Sequence, residues 1–170
     1  MTKFYSINWI NNTLLFIVLI QLSANIQAAG SLDMQIERTI VKALADYNSA
    51  MATDDVAKWL KYFEKDATRK DPLLSQMIGL DEIKEYYRKE FSIFAASFEI
   101  SRVMLKERNA AVEMLWTAID KKTSKTILLP TVGIFELAPS GKFKSATFYF
   151  DSSMGNDEGS RVLLNQLITQ

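Results

Sequence analysis

The sequence predicts an α+β fold in which helices come first and an antiparallel meander of strands follows. Two observations lead to this class. Apolar residues recur at helical spacing from about residue 32 to residue 94, and they then alternate with polar residues at every second position from residue 98 to residue 150. Because helices and strands are segregated along the chain, we expect the helices to pack on one face of a single sheet. A chain of 170 residues has room for one domain with a substantial core.

Three helices are predicted. The first covers residues 32–52, and its apolar stripe consists of Ile36, Ile40, Ala43, Leu44, Tyr47 and Met51. The second follows the helix-capping run Thr53-Asp54-Asp55, and its expected buried face is Val56, Trp59, Leu60 and Phe63. The third begins after Gly79, with a stripe made of Leu80, Ile83, Tyr87, Phe91 and Phe94.

The strands are predicted from the change to a period of two. A short strand at Ala67–Asp71 precedes the third helix, because Pro72 favours an extended residue before it and cannot donate to a sheet. Four longer strands follow at residues 98–105, 110–119, 126–137 and 143–150. Hairpin turns are expected at residues 121–125 and 139–141, which are rich in Lys, Thr, Ser, Pro and Gly.

Composition excludes several classes of chemistry. The chain has no histidine and no cysteine, so thiol nucleophiles, Ser-His-Asp triads and histidine- or cysteine-ligated metals are ruled out. Acid–base chemistry must rest on carboxylates, tyrosines or amines. An all-oxygen metal site stays possible, but no Asp-rich loop with calcium spacing occurs, and we predict no metal and no cofactor. Twenty basic and twenty acidic residues cancel, which gives no electrostatic reason to expect nucleic-acid binding.

The N-terminus is typical of a secretory signal. Lys3 precedes an apolar run at residues 14–20, and small residues follow at 24 and 28–30, so cleavage is expected near Ala28 to Gly30. The alternative is an uncleaved anchor, but the apolar run is shorter than the roughly 20 residues of a membrane span. We therefore predict a signal peptide at 1–30, a domain at 31–152 and a tail at 153–170 that could hold a short helix. The mature protein would be secreted or periplasmic, with no stable membrane insertion.

Several motifs fit one superfamily. The run Phe63-x-x-Asp66-Ala67-x-x-x-Asp71-Pro72, followed by Gly79-x-x-x-Ile83, resembles the nuclear transport factor 2-like superfamily, and within it the ketosteroid isomerases. The later segments 130–136, 141–142 and 149–151 are similar to the SnoaL-like and limonene-epoxide-hydrolase-like branch, although one catalytic position of those hydrolases falls here on Thr147. The resemblance covers about residues 36–151. It implies a cone-shaped fold, in which a curved sheet wraps three helices around a deep apolar pocket.

The isomerase resemblance also implies catalytic roles. It places the general base at Asp71 and the tyrosine of the oxyanion hole at Tyr47, while the third member of that site falls on Val132, which cannot donate a hydrogen bond. Alternatives remain for both polar residues. Tyr47 could be a core tyrosine with a satisfied hydroxyl, and Asp71 could start a turn through its side-chain oxygen.

Three more residues complete the predicted pocket. Arg69 lies two residues before Asp71 and so on the same face of a strand, where its charge would favour ionised Asp71 and lower its basicity. Either the substrate is anionic or polar, or the two residues form only an ion pair. Trp116 is expected to face the pocket or to belong to the core. Asp151 could lie at the pocket mouth or cap the tail.

Three functions are consistent with these residues. The first is a ketosteroid isomerase-like isomerase, or a related lyase or hydrolase, that acts on a small hydrophobic or amphipathic carbonyl compound by carboxylate base catalysis. The second is a binding domain that holds a hydrophobic ligand in the same pocket. The third is a domain that dimerises through its open sheet face. A homodimer is expected, and the predicted partner is a small apolar or amphipathic molecule.

Overall fold

The computed structural model describes residues 9–72 and 74–151, with side chains from residue 30 onwards except those of residues 74 and 75. The predicted tail at 153–170 and the first eight residues of the predicted signal peptide lie outside the described residues. The signal peptide and its cleavage site remain predictions.

Three helices occupy the first half of the chain. They are α1 (Trp9–Thr53), α2 (Val56–Leu60) and α3 (Leu80–Ile93). Helix α1 stops where Asp54 adopts a φ of +55°, and Asp55 then caps α2 by accepting a hydrogen bond from the backbone N–H of Lys58 at 3.2 Å. Gly79, at a φ of +89°, makes the turn into α3. No helix in the described part of the chain has the length and apolar character needed to cross a membrane.

Six strands form one curved sheet. They are β1 (Phe63–Asp71), β2 (Leu74–Ile78), β3 (Phe94–Lys106), β4 (Asn109–Asp120), β5 (Thr126–Leu137) and β6 (Phe143–Tyr149). The order across the sheet is β2-β1-β6-β5-β4-β3. All neighbouring pairs are antiparallel except β1 and β6, which run parallel. The predicted α+β class, with N-terminal helices packed on a mostly antiparallel curved sheet, is confirmed.

The first strands differ from the prediction. Phe63 does not end a helix but begins β1, because α2 stops after five residues at Leu60. Strand β2 lies where the sequence predicted no strand, and it forms because the chain reverses after Pro72 and pairs back along β1 from Thr68↔Ile78 to Asp71↔Leu74. Phe94 likewise opens β3 instead of closing α3. Only β3 to β6 form the predicted meander.

The core lies between the helices and the inner face of the sheet. Along β4 every second residue from Ala110 to Asp120 is buried, and along β5 the odd-numbered residues from Ile127 to Leu137 are buried. The even-numbered residues of β5 therefore lie on the outer face. Tyr47 on α1 is fully buried among the rings of Trp59, Tyr87 and Phe91, with centroid distances of 5.3, 6.2 and 5.8 Å.

Candidate functional site: a cavity between α3 and the sheet

A cavity of about 420 Å³, counted with its open mouth, lies between α3 and the inner face of the sheet. Most of its wall is aromatic, with rings from Tyr86, Tyr87, Phe98, Trp116, Phe148 and Phe150. Leu129 and Thr131 add to the wall from β5. The cavity is therefore suited to a small, flat, mainly apolar ligand.

The wall from β3 is held in place by α1. Strand β3 is an edge strand, and the side-chain amide of Asn48 pairs with the backbone of Phe98 as a neighbouring strand would. Its Nδ2 donates to the carbonyl of Phe98 at 2.9 Å, and its Oδ1 accepts from the N–H of Phe98 at 2.8 Å. This pair satisfies the free backbone groups of the edge and fixes where the Phe98 ring enters the cavity.

Glu90 is the acidic residue in the cavity wall. Its side chain lies on the inward face of α3, three residues after Tyr87, and is 3% exposed. Its Oε1 accepts a hydrogen bond of 2.7 Å from the hydroxyl of Tyr47. Its Oε2 is buried and has no hydrogen-bond partner among the described residues. One oxygen of this carboxyl is thus held by Tyr47, and the other is buried without a partner.

Burial controls the charge of Glu90. Loss of contact with water raises the pKa of its carboxyl from 4.5 to about 7, although the positive charge of Arg69 and the hydrogen bond from Tyr47 both lower it. The carboxylate charge of Asp71 adds a smaller upward effect on the same pKa. Near neutral pH this group can therefore both accept and release a proton.

Arg69 brings a positive charge to the same cavity. Its guanidinium carbon lies 3.8 Å from the centre of the Tyr86 ring and 5.1 Å from that of Phe148. Its Nε donates to the hydroxyl of Tyr87 at 3.1 Å, and its Nη1 forms an ion pair of 2.5 Å with Oδ2 of Asp71. Both members of this ion pair are buried. The guanidinium is thus neutralised on one side and stacked on aromatic rings on the other.

The structure separates the two residues that the sequence placed at the centre of the site. Tyr47 lies behind the cavity wall, where its hydroxyl donates to Glu90 and accepts a 3.4 Å hydrogen bond from Nε1 of Trp116. Asp71 lies beside Arg69 and is not part of the cavity wall. Arg69 and Trp116 line the cavity.

Two predicted pocket residues lie elsewhere. Val132 is not in the wall, because it is an even-numbered residue of β5 and its side chain is on the outer face, across from Glu113 and Tyr149. Its assignment to the pocket has to be corrected for that reason. Asp151 is exposed just beyond β6, and it is not part of the wall either.

Sequence reasoning missed Glu90, although the sequence contains a signal for it. The predicted stripe of α3 runs through Ile83 and Tyr87, and the next position on the same face, seven residues after Ile83, is Glu90. A charged residue on an apolar helix stripe is unusual, because burial of an unpaired charge is costly. The charged residue at position 90 of this stripe was therefore the sign in the sequence that Glu90 has a special role.

Across the described part of the chain, no group of three or more acidic residues is placed to hold a metal ion.

The comparison with protein families identifies the domain. The sequence profile of the SnoaL-like domain matches residues 44–146, which is more than half of the chain. The chain belongs to the SnoaL-like domain family. The match extends from the C-terminal part of α1 into β6 and includes the cavity-lining residues other than Phe148 and Phe150.

Solved structures share the fold of this SnoaL-like domain. An NTF2-like protein from Anabaena variabilis ATCC 29413 superposes with a TM-score of 0.61 at 17% identity, covering 69% of this chain and 90% of that chain. SalBIII, described as an epoxide hydrolase/cyclase-like enzyme in pyran ring formation in the polyether salinomycin, gives 0.60 at 18% identity, with 70% and 95% covered. An LEH-like epoxide hydrolase from M. tuberculosis gives 0.59 at 16% identity, with 77% and 93% covered.

These similarities establish the NTF2-like, ketosteroid isomerase-like fold. At such low identity they carry no information on the reaction, since this fold supports many functions. No curated protein matches the sequence.

Proposed function

We propose that this domain binds a small apolar or amphipathic carbonyl compound in its cavity and moves a proton on it, as an isomerase or lyase does. The observation that carries the proposal is the presence of a buried carboxyl and a buried guanidinium, Glu90 and Arg69, in the wall of one aromatic-lined cavity. A proton acceptor and a cation close to each other are what enolisation of a carbonyl compound requires.

The cavity supplies a donor for the carbonyl oxygen. Arg69 is positively charged, and Tyr87, whose hydroxyl accepts from Arg69, retains its own proton for donation. Such donors stabilise the negative charge that develops on the oxygen as a proton leaves the neighbouring carbon. The aromatic walls favour a planar, unsaturated body that is small enough to lie between them.

Two carboxylates are candidates for the base. Asp71 is the base that the isomerase resemblance implies, and Glu90 is the carboxyl in the cavity wall. The ion pair with Arg69 favours a different role for Asp71, that of neutralising the buried guanidinium.

The proposal is tested with a small β,γ-unsaturated ketone such as cyclohex-3-en-1-one. Its isomerisation to the conjugated enone is followed by ultraviolet absorbance, and its binding by the fluorescence of the tryptophans, of which Trp116 lines the cavity. The variant Thr131→Phe fills the cavity, and Thr126→Phe introduces the same side chain at an exposed end of β5. We expect binding and turnover in the wild type and in Thr126→Phe, with both lost in Thr131→Phe. Turnover that survives in Thr131→Phe would contradict the proposed site.

A second candidate is a domain that binds a hydrophobic ligand without converting it. One contact favours it: the Tyr47 hydroxyl donates to Glu90 and is therefore not available as the donor of an oxyanion hole. Ketone binding that is lost in Thr131→Phe, without any conversion in the wild type, would support this second function and exclude the first.

We also propose that the protein is exported and forms a homodimer. Export rests on the signal-like sequence of residues 1–30, and the mass of the mature N-terminus, purified from the exporting cell, tests it. Loss of residues 1–30 would leave Ile36 and all later buried residues of α1 in place. Dimerisation is supported by the outer face of β5, where successive outward residues are apolar: Leu128, Pro130, Val132 and Ile134.

A further inference from the structure

We infer that Glu90, and not Asp71, is the catalytic acid–base residue of this cavity, and that Tyr47 and Trp116 are positioning residues that hold its carboxyl. This inference rests on the proposed function, because it assigns the proton transfer to one side chain. It starts from geometry: Glu90 is the carboxyl in the wall, and its Oε2 has no partner among the described residues.

The two oxygens of Glu90 have different surroundings. Oε1 accepts the 2.7 Å hydrogen bond from Tyr47, whose hydroxyl in turn accepts from Nε1 of Trp116 at 3.4 Å. This series of hydrogen bonds joins α1, α3 and β4, so three elements fix the orientation of the Glu90 carboxyl. Oε2 is consequently the oxygen for which a bound ligand would supply the partner.

An unpartnered buried oxygen is costly, which argues against a purely structural role. Leaving a buried polar atom unsatisfied costs about 1–3 kcal/mol, and most buried polar atoms in proteins have partners. A glutamate that served only to join α1 to α3 could be replaced by a glutamine or a smaller polar residue. A base needs a free lone pair directed at the substrate.

The charges around Glu90 suit a base that works near neutral pH. Arg69 on β1 faces it with a positive charge, Asp71 on β1 with a negative one, and Tyr47, Tyr86 and Tyr87 are neutral phenols. Burial dominates and raises the pKa of Glu90 to about 7. The group is therefore partly ionised at neutral pH and can return the proton that it takes.

Asp71 meets these requirements less well. Its Oδ2 is 2.5 Å from Nη1 of Arg69, and the residue does not line the cavity. A carboxylate oxygen that is held by a guanidinium outside the cavity wall is not placed to take a proton from a ligand in the cavity. Asp71 instead compensates the charge of Arg69, and this leaves Glu90 as the acid–base group.

The proposed reaction moves one proton from the α carbon to the γ carbon of the substrate by way of Glu90. Oε2 takes a proton from the carbon between the carbonyl and the double bond. The electron pair of that C–H bond moves toward the carbonyl oxygen, which becomes an enolate beside Arg69 and Tyr87. Protonated Glu90 then gives its proton to the γ carbon, the carbonyl reforms, and the double bond is conjugated with it. No oxidant, metal or co-reactant is consumed.

Hydrogen–deuterium exchange separates this inference from the proposed function. In D₂O, nuclear magnetic resonance follows loss of the α-proton signal of cyclohex-3-en-1-one, both by exchange with solvent and by conversion to the conjugated enone, with catalytic amounts of protein. Fluorescence reports binding separately. Glu90→Gln should bind the ketone but exchange it at least about 100-fold more slowly, since general base catalysis contributes about 10²–10⁴-fold. Glu113→Gln, which changes a carboxylate on the outer face of β4, should exchange at the wild-type rate.

Each result has one meaning. Neither exchange nor conversion of the ketone with the wild type would overturn the proposed function and the role of Glu90 with it. Exchange in Glu90→Gln within tenfold of the wild type would overturn the role of Glu90 alone, and Asp71→Asn would then be the inactive variant. Slow exchange in Glu90→Gln, with more exchange kept by Asp71→Asn, supports the inference. In Glu90→Ala, added formate should restore exchange in proportion to its concentration, because it can occupy the space of the lost carboxylate.

Tyr47 is tested as a positioning residue by its effect on the pH profile. Its hydrogen bond lowers the pKa of Glu90, so Tyr47→Phe should move the acidic limb of the exchange profile to higher pH. If Tyr47 were only a core residue, Tyr47→Phe would lower stability but leave the acidic limb of the exchange profile at the wild-type pH. An unchanged limb in folded Tyr47→Phe would therefore contradict the positioning role.

Discussion

The hydroxyl of Tyr47 donates a 2.7 Å hydrogen bond to Oε1 of Glu90 and so joins α1 to α3 across 43 residues of sequence. Both side chains are buried, and the bond lies directly behind the aromatic wall of the cavity. It ties the acidic group of the cavity to the core of the domain. Function and stability are consequently coupled at this contact, and the two can be measured separately.

The first prediction concerns the pH dependence of stability. Because the pKa of Glu90 is raised from 4.5 to about 7 on folding, the native state binds this proton more tightly than the unfolded state does. The contribution of Glu90 to stability should thus fall by about 3 kcal/mol as the pH rises from 4.5 to 7, at 1.36 kcal/mol per pKa unit. Above pH 7 it should stay at this lower value. Glu90→Gln lacks this titration. Urea unfolding at about pH 5 and about pH 8 should show the variant gaining stability relative to the wild type at the higher pH. An equal difference at both pH values would show that Glu90 titrates normally.

The second prediction compares two tyrosine hydroxyls. Tyr47→Phe removes the partner of Oε1 in Glu90, whose other oxygen is already unpaired, so we expect a loss of about 1–3 kcal/mol in the free energy of unfolding. Tyr62→Phe is the matched control. The Tyr62 hydroxyl also donates to a carboxylate, Asp46, at 2.6 Å, but Asp46 keeps Lys61 at 2.8 Å and Lys42 at 3.1 Å. The control should cost less than Tyr47→Phe. The reverse order would mean that Glu90 does not depend on Tyr47.

Periodicity predicted most of the fold but little of the site. Strand β5 was predicted with its observed bounds, because twelve alternating residues with turn residues on both sides leave few other structures. The parallel pairing of β1 with β6 could not be predicted, since it joins residues such as Thr68 and Ser145 that are distant in sequence. The same limit applies to the site. Glu90, Tyr47 and Trp116 come together only when α3, α1 and β4 pack against one another. A single sequence does not show that these residues, distant along the chain, lie close together in the fold.

The third prediction concerns the buried ion pair. Arg69→Met should destabilise the domain by about 3–5 kcal/mol, because Asp71 loses its guanidinium in a buried position. Asp71→Asn should also destabilise it, by leaving the Arg69 charge without that compensation. The double variant Arg69→Met/Asp71→Leu should be less destabilised than the sum of the single changes, since it removes both charges. Additive effects in chemical denaturation would show that the pair contributes little.

The fourth prediction concerns Gly133, which lies on the inner face of β5. A Cβ at this position would lie 2.6 Å from Cε of Met114 and 2.7 Å from Cε2 of Phe135. Gly133→Ala should therefore overpack the core and cost about 1–3 kcal/mol in thermal or urea unfolding. In a Met114→Ala background the same substitution should cost less, because one of the two overlapping atoms is gone. An equal cost in both backgrounds would place the strain on Phe135 alone.

The fifth prediction tests the proposed homodimer. Ile134 lies on the outer face of β5, opposite Ala111 and Thr147, so Ile134→Glu introduces a carboxylate on this face, two residues before Glu136. Desolvating an unpaired carboxylate in an interface is costly, and we expect sedimentation equilibrium to show the dimer dissociation constant raised at least tenfold, which corresponds to about 1.4 kcal/mol. Ile78→Glu is the matched control, since Ile78 is 63% exposed on β2, which is separated from β5 by β1 and β6. It should leave the dimer intact. A wild type that stays monomeric at high concentration, or a dimer weakened equally by both variants, would exclude the β5 face as the interface.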